Sequence, residues 1–379
     1  MDLSRASSPG QGSLALAMHD KSDREIKTKL KDQQEKDFIK CVLGQYAVTA
    51  SADRFEDCVV IDLEELCGVK GLPYLVYSID HPSFVRRGLG DALDYRFYGR
   101  WVAAIVCGDV LAMGARPKGF ALDLAVPVDM DDEPVKSIFQ GLRDVLDAYG
   151  ATFEGGNLDA NALELVGYAW GIVSRDKIIR RAGARVGDYV VATGMLGFGW
   201  ADWILRKLGR FNALSAQAQE SFRGYKLMPL APHQAMLEAV ENGGITSGMD
   251  LSDGLIEFLY TILERSGLGV RLEETLFPVA PEMEQAAEIL NVRPTLLTLE
   301  AGYDTPLTHG WTVAPEAWPN IQRVFQKYGK SVYHLGYVTE EPQVLLETSK
   351  GPKAIECFWD DQFRKDSVID RWFQMVRSL

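Results

Sequence analysis

The 379-residue chain is short of positive charge: 40 Lys and Arg stand against 53 Asp and Glu, a formal net charge of -13 at pH 7. A surface of that sign offers no basic footprint to a nucleic-acid backbone or an anionic membrane, so neither is expected as a partner. Cysteine is scarce too. The five, Cys41, Cys58, Cys67, Cys107 and Cys357, form no CxxC pair and have no histidine at ligand spacing. That leaves neither a zinc site nor a disulfide framework and predicts buried thiols. No apolar run approaches the roughly 20 residues of a membrane span, and the start lacks the apolar core of a signal peptide, so a cytoplasmic protein is expected. Two catalytic fingerprints are missing as well. There is no GxxxxGK[ST] phosphate loop, and no GxSxG nucleophile elbow accompanies His19, His81, His233, His309 or His334.

What is present is the balance of a folded protein, with 47% hydrophobic and 25% charged residues. The length exceeds one hydrophobic core, which predicts two domains. Residues 1–42 are polar and of mixed charge, a flexible start leading into a surface helix. Strands are expected at CVVIDL (58–63) and YLVYSID (74–80), then a helix from Gly99 that stops at the breaker GARP. FALDLAVP reads as a strand, and a helix over Asp132 to Tyr149 places Glu133 and Pro134 in its first turn. ATFEGGNLD and ELVGYAWGIVS read as a strand, a Gly-Gly turn and a second strand.

A fresh start at RAGARVGDYVVATGMLGFG puts a domain boundary near residue 180, giving domains at 43–178 and 179–379. The second half adds the acidic turn GMDLSDGL, a helix ending ILERSG, the strand GVRLEE and a late strand pair around WTVAP and VYHLGYV. Helices and strands mix without regular alternation, so the fold class is α+β, not a dinucleotide-binding fold.

Acids recur at strand ends and turns: Asp57, Asp80, Asp109, Asp159, Asp250 and Asp253. Caps and ion pairs account for most such residues. Asp57, Asp80 and Asp109, however, stand in apolar sequence, where an unpaired charge is costly. Carboxylates gathered on loops are what magnesium takes, with hard oxygen ligands and a share of a substrate phosphate. The turns GGN (155–157) and TGMLGFG (193–199) would let backbone approach a ligand.

The order ED…SID…GDVLAMGARP…GGN…RAGARVGDYVVATGMLG…GMDLSDGL resembles the superfamily of aminoimidazole ribonucleotide synthetase, selenophosphate synthetase, the hydrogenase-maturation dehydratase and thiamine-monophosphate kinase, the last above all. The likeness runs in collinear order from about Asp57 to about Phe363. It implies a two-domain α+β protein, with ATP and several magnesium ions in a cleft between the halves and a homodimer built through the N-terminal domains.

Carried over residue by residue, the resemblance makes Asp57, Asp80, Asp109, Asp250 and Asp253 metal ligands, Asp80 and Asp253 being the catalytic pair. Ser78, Gly155, Gly156, Asn157, Arg181 and Ser252 become nucleotide contacts. Tyr303, Asp304, Trp359 and His81 fall on the acceptor side. Departures are Glu56 for an aspartate, Ile79 for a threonine, Asn157 for the acid of Gly-Gly-Asp and Tyr303 for the acid of Gly-Glu-Asp. The resemblance therefore implies an ATP- and magnesium-dependent phosphotransferase whose small-molecule acceptor differs from thiamine phosphate. Two alternatives share the fold: a synthetase or dehydratase that activates an amide or carboxylate, and a non-catalytic nucleotide-binding protein.

Overall fold

In the computed structural model, which describes residues 56–82, 95–227, 230–302, 308–358 and 368–379, the chain builds two sheets, each with helices against it. β1 (Val59–Asp62), β2 (Tyr74–Asp80), β3 (Arg116–Val126), β4 (Thr152–Ala160) and β5 (Glu164–Val173) form a five-stranded sheet in the order β1-β2-β5-β3-β4. A short helix, α1 (Leu63–Cys67), follows β1, capped by the Asp62 carboxylate. α2 (Tyr95–Ala112) and α3 (Asp132–Tyr149) cover one face of this sheet.

The small and apolar run Trp101–Cys107 makes α2 almost wholly buried. Its crossing with α3 is tight: a Cβ on Gly99 would meet the Ile138 carbonyl oxygen at 1.9 Å. α3 has the limits its sequence predicts, and Gly150, in the left-handed region at φ 70°, donates its N–H back to the Leu146 and Asp147 carbonyls.

β6 (Tyr189–Ala192), β7 (Ile245–Asp250), β8 (Gly269–Glu273), β9 (His309–Val313), β10 (Tyr333–Thr339), β11 (Val344–Thr348) and β12 (Gly351–Ala354) form the second sheet, in the order β12-β11-β8-β10-β6-β9-β7. Its helices are α4 (Phe198–Lys207), α5 (Ala216–Leu227), α6 (His233–Asn242), α7 (Leu255–Ser266), α8 (Pro281–Leu290), α9 (Trp318–Lys327) and α10 (Val368–Ser378). One core lies within this half, around Trp200, Phe258 and Trp372. A second core is shared: Val106 and Val110 of α2 and Leu142 of α3 join Val191, Trp311, Val313 and Phe325 from the second half. The architecture is the α+β one expected.

Four local expectations need correction. Gly155 and Gly156 make no turn; they lie inside β4, and the chain reverses at 161–163. Gly156 sits at φ 156°, and a Cβ there would meet the Leu122 carbonyl oxygen at 1.8 Å, so glycine here answers the close approach of β3 beside a bulge. The acidic stretch 248–255 is a strand end through Asp250, then a turn, and α7 starts at Leu255. The two late strands do not pair with each other, since β6 lies between β9 and β10. Among the cysteines, Cys58 and Cys107 are buried but Cys67 is exposed.

Candidate active site

Alternation along β2 sends Val76 and Ser78 to the helix-covered face and Tyr77 and Ile79 to the other. Ser78 thereby reaches α2, where its Oγ donates to Asp109 Oδ2 at 2.5 Å. Asp57 precedes β1 with its side chain 1% exposed and pairs with Arg181, whose Nε lies 2.8 Å from Asp57 Oδ1. The Arg181 backbone N–H donates to Glu56 Oε2 at 2.8 Å, and the other Asp57 oxygen accepts the Asp250 N–H at 3.3 Å. Asp250 ends β7 and accepts the Ser252 N–H at 3.2 Å, which turns the chain toward Gly254 and α7.

Elements from both halves thus gather acids around one arginine. Burial pushes the Asp57 carboxyl up to about 7, opposed by Arg181 and reinforced by Asp250 and Glu56. Burial also holds Asp109 well above the usual carboxylate range, with Asp250, Asp80 and Asp57 adding to the rise and Ser78 opposing it. Burial is the larger cause of both shifts and the neighbouring carboxylates add to it; a divalent cation placed among them would relieve that added charge. Among the described residues no three His, Cys, Asp or Glu form a ready-made metal cage. An all-oxygen set drawn from separate elements fits magnesium, which keeps waters and shares itself with phosphates.

One buried histidine adjoins this cluster. His309, the first residue of β9 and register partner of Asp250, is fully buried and has its Nε2 3.0 Å from the Gly108 carbonyl oxygen, one residue before Asp109. Burial lowers its pKa, which keeps the imidazole neutral. In the sequence it is one of several histidines tied to no motif, its only signal being a polar residue opening an apolar strand.

The other nominated residues are placed less closely. Asp253 is exposed, as is His81, whose N–H donates to Asp80 Oδ1 at 2.6 Å. Gly155 and Asn157 do not join the cluster within one chain. Asp80 pairs with Gly167 on the helix-covered face, whereas Asn157 pairs with Asp123, and Asp123 with Val166, on the opposite one. There the Asn157 amide donates to Asp123 Oδ1 at 3.1 Å. Gly156 shares the row of Asp80 but three strand spacings away, about 14 Å. Tyr303, Asp304, Trp359 and the extension 1–42 lie outside the described residues. A groove of about 430 Å³ lined by Phe139, Leu146 and Phe153 shares no residue with the cluster.

Comparison with known proteins bears on this arrangement. Residues 55–173 match the profile of AIR synthase related protein, N-terminal domain, and residues 185–347 that of its C-terminal domain. Thiamine-monophosphate kinase of Synechococcus elongatus is 30% identical over 255 residues, 65% of this chain and 73% of that protein. The enzyme of Methanospirillum hungatei is 32% identical over 48% of this chain, which spans about three fifths of its length, 59%. Among solved structures, AaThiL complexed with AMPPCP and TMP superposes with a TM-score of 0.72 at 19% identity, covering 89% of this chain and 99% of that one. Hydrogenase maturation protein HypE in complex with ATP gives 0.60 at 15% identity, covering 88% and 95%. The chain belongs to the AIR synthase related protein family, with thiamine-monophosphate kinases among its curated relatives.

Proposed function

We propose that this protein is an ATP- and magnesium-dependent kinase acting on a small molecule other than thiamine phosphate. The observation that carries the reading is the convergence of carboxylates from separate elements of both halves. Asp57 pairs with Arg181 and accepts the Asp250 N–H, with Asp109 held by Ser78 beside them, an arrangement costly to the fold unless a cation and a phosphate chain use it. Its kinase relatives support the reaction class. The acceptor rests on Tyr303, where an acid that would hold a cationic ring is absent.

Asp57, Asp80, Asp109, Asp250 and Asp253 would hold the cations, which when bound neutralise phosphate charge and stabilise the transferring group. Ser78 fixes the Asp109 carboxylate by its hydrogen bond. Arg181 has a one-fifth exposed side chain, so the guanidinium that steadies Asp57 also has a rim open to an anion. Ser252 stands half-buried where the chain leaves β7, its N–H already turned onto Asp250. The division at residues 178 and 179, falling between β5 and β6, and a cytoplasmic location belong to the same reading.

A homodimer belongs to it as well. The face of the first sheet away from α2 carries Val59, Ile79 and Ile172, which are 38%, 61% and 38% exposed, beside Tyr77, Tyr168 and Trp170. An apolar sheet face of this kind is what a second copy would cover. Such a copy would also stand against Asn157.

The test is thermal. Magnesium-ATP at about 100 times its dissociation constant should stabilise the fold by roughly 2.7 kcal/mol, and ATP with chelator should do so far less. Asp80→Asn and Asp253→Asn should lower turnover by orders of magnitude, while Asp147→Asn, exposed on α3 and paired with Arg143, should not. Asp123, bonded to Asn157, is no neutral control. Equal thermal shifts with and without the cation would end the reading. A thiamine monophosphate specificity constant of about 10⁴ M⁻¹s⁻¹ or more would return the acceptor to thiamine phosphate.

A further inference from the structure

We propose that His309 is a positioning residue that holds Asp109 of the first half against Asp250 of the second. The proposal rests on reading the carboxylates as the cation and nucleotide site. Its geometry is a three-way tie. The Nε2 of His309 is 3.0 Å from the carbonyl oxygen of Gly108, and because a carbonyl only accepts, Nε2 carries the proton. That carbonyl immediately precedes Asp109, so a slide or rotation of α2 that displaced Asp109 would break the bond. The backbone of His309 stands opposite Asp250 in the β7–β9 register. Its N–H donates to Thr193 Oγ1 at 3.0 Å and its carbonyl accepts the Thr193 N–H at 3.0 Å, which adds the glycine-rich loop after β6.

Packing does not account for the residue. With the proton on Nε2, Nδ1 presents a bare lone pair, and among the described residues it has no hydrogen-bond partner although the side chain is wholly buried. A leucine would fill nearly the same volume without burying an unpaired polar atom. What leucine lacks is the donor to Gly108. The imidazole is retained for that bond, which joins the two halves beside the acids.

The experiment compares the full-length protein with His309→Leu, which removes the donor, and His309→Gln, whose amide can restore it. Magnesium is titrated calorimetrically in excess non-hydrolysable ATP analogue, and hydrogen exchange is followed without ligand. His309→Leu should weaken cation-dependent nucleotide binding by about tenfold or more, the usual consequence of losing a support behind a metal ligand. It should also speed exchange at 106–112 and 247–251 while leaving α8 and α10 unchanged, and His309→Gln should stay near wild type in both. If His309→Leu does not fold, His309→Met takes its place.

Leucine binding as tightly as wild type, or glutamine failing as badly as leucine, overturns the proposal. A wild-type protein that binds no nucleotide overturns the kinase reading instead. The exchange comparison then still decides whether His309 fixes the two segments.

Discussion

At the scale of single residues, the site is set by how the fold treats Asp57. Its carboxyl, ordinarily near 3.8, is held up to about 7. Between those values the folded chain keeps a proton that the unfolded chain has released. Stability therefore falls as pH rises through this window, by up to about 1.4 kcal/mol per unit, and the loss is complete above about 7. Urea unfolding in chelator at pH 5, 6 and 7.5 should give a steeper decline for wild type than for Asp57→Asn, which cannot titrate. Parallel curves would contradict the assigned environment. The acids of the candidate site were legible because Asp57 and Asp109 stand in apolar sequence and Asp250 lies in the acidic stretch GMDLSDGL, and Arg181 and Ser78 came with the resemblance. Asn157 was not legible: its letter and neighbours fit a ligand contact, yet only the strand register says which face its side chain takes, and one bulge decides that. His309 was missed for the opposite reason, since its partner is a backbone carbonyl that no side-chain motif records.

At the scale of elements, local chemistry was read well where it was local. α3 begins and ends where its acidic first turn and Gly150 demand, and β2 spans the residues whose β-branched and aromatic content predicts it. The Gly-Gly pair misled because turn chemistry and close strand approach use the same residue. The two causes separate by mutation. Gly156→Ala must push a methyl group into the Leu122 carbonyl, whereas Gly155→Ala meets no atom within 4 Å and bears only the strain of φ 125°. Gly155→Ala should cost about 1–3 kcal/mol from backbone strain, and Gly156→Ala distinctly more, read by denaturant midpoints. Equal costs would mean that β3 and β4 separate easily, and the pairing described for them would be wrong.

At the scale of the whole molecule, the exposed face of the first sheet and the shared core make separate demands. The face predicts association. Sedimentation should give a dimer at micromolar concentration, and Ile79→Asp should shift it to monomer with unchanged far-ultraviolet dichroism. A wild-type monomer at every concentration would remove the dimer. The shared core reaches from Val106 and Leu142 to Trp311 and Phe325. It bears on how the protein is made. A ribosome releases Asp57 and Asp109 early, but at about 5–20 residues per second Asp250 and the His309 strand follow on the order of 10 seconds later. Through that interval the first half carries an unfinished apolar seam and half of a charged pocket. The growing chain is then sticky and most in need of a chaperone, and a premature stop before β9 leaves a fragment fit for proteolysis and not for catalysis.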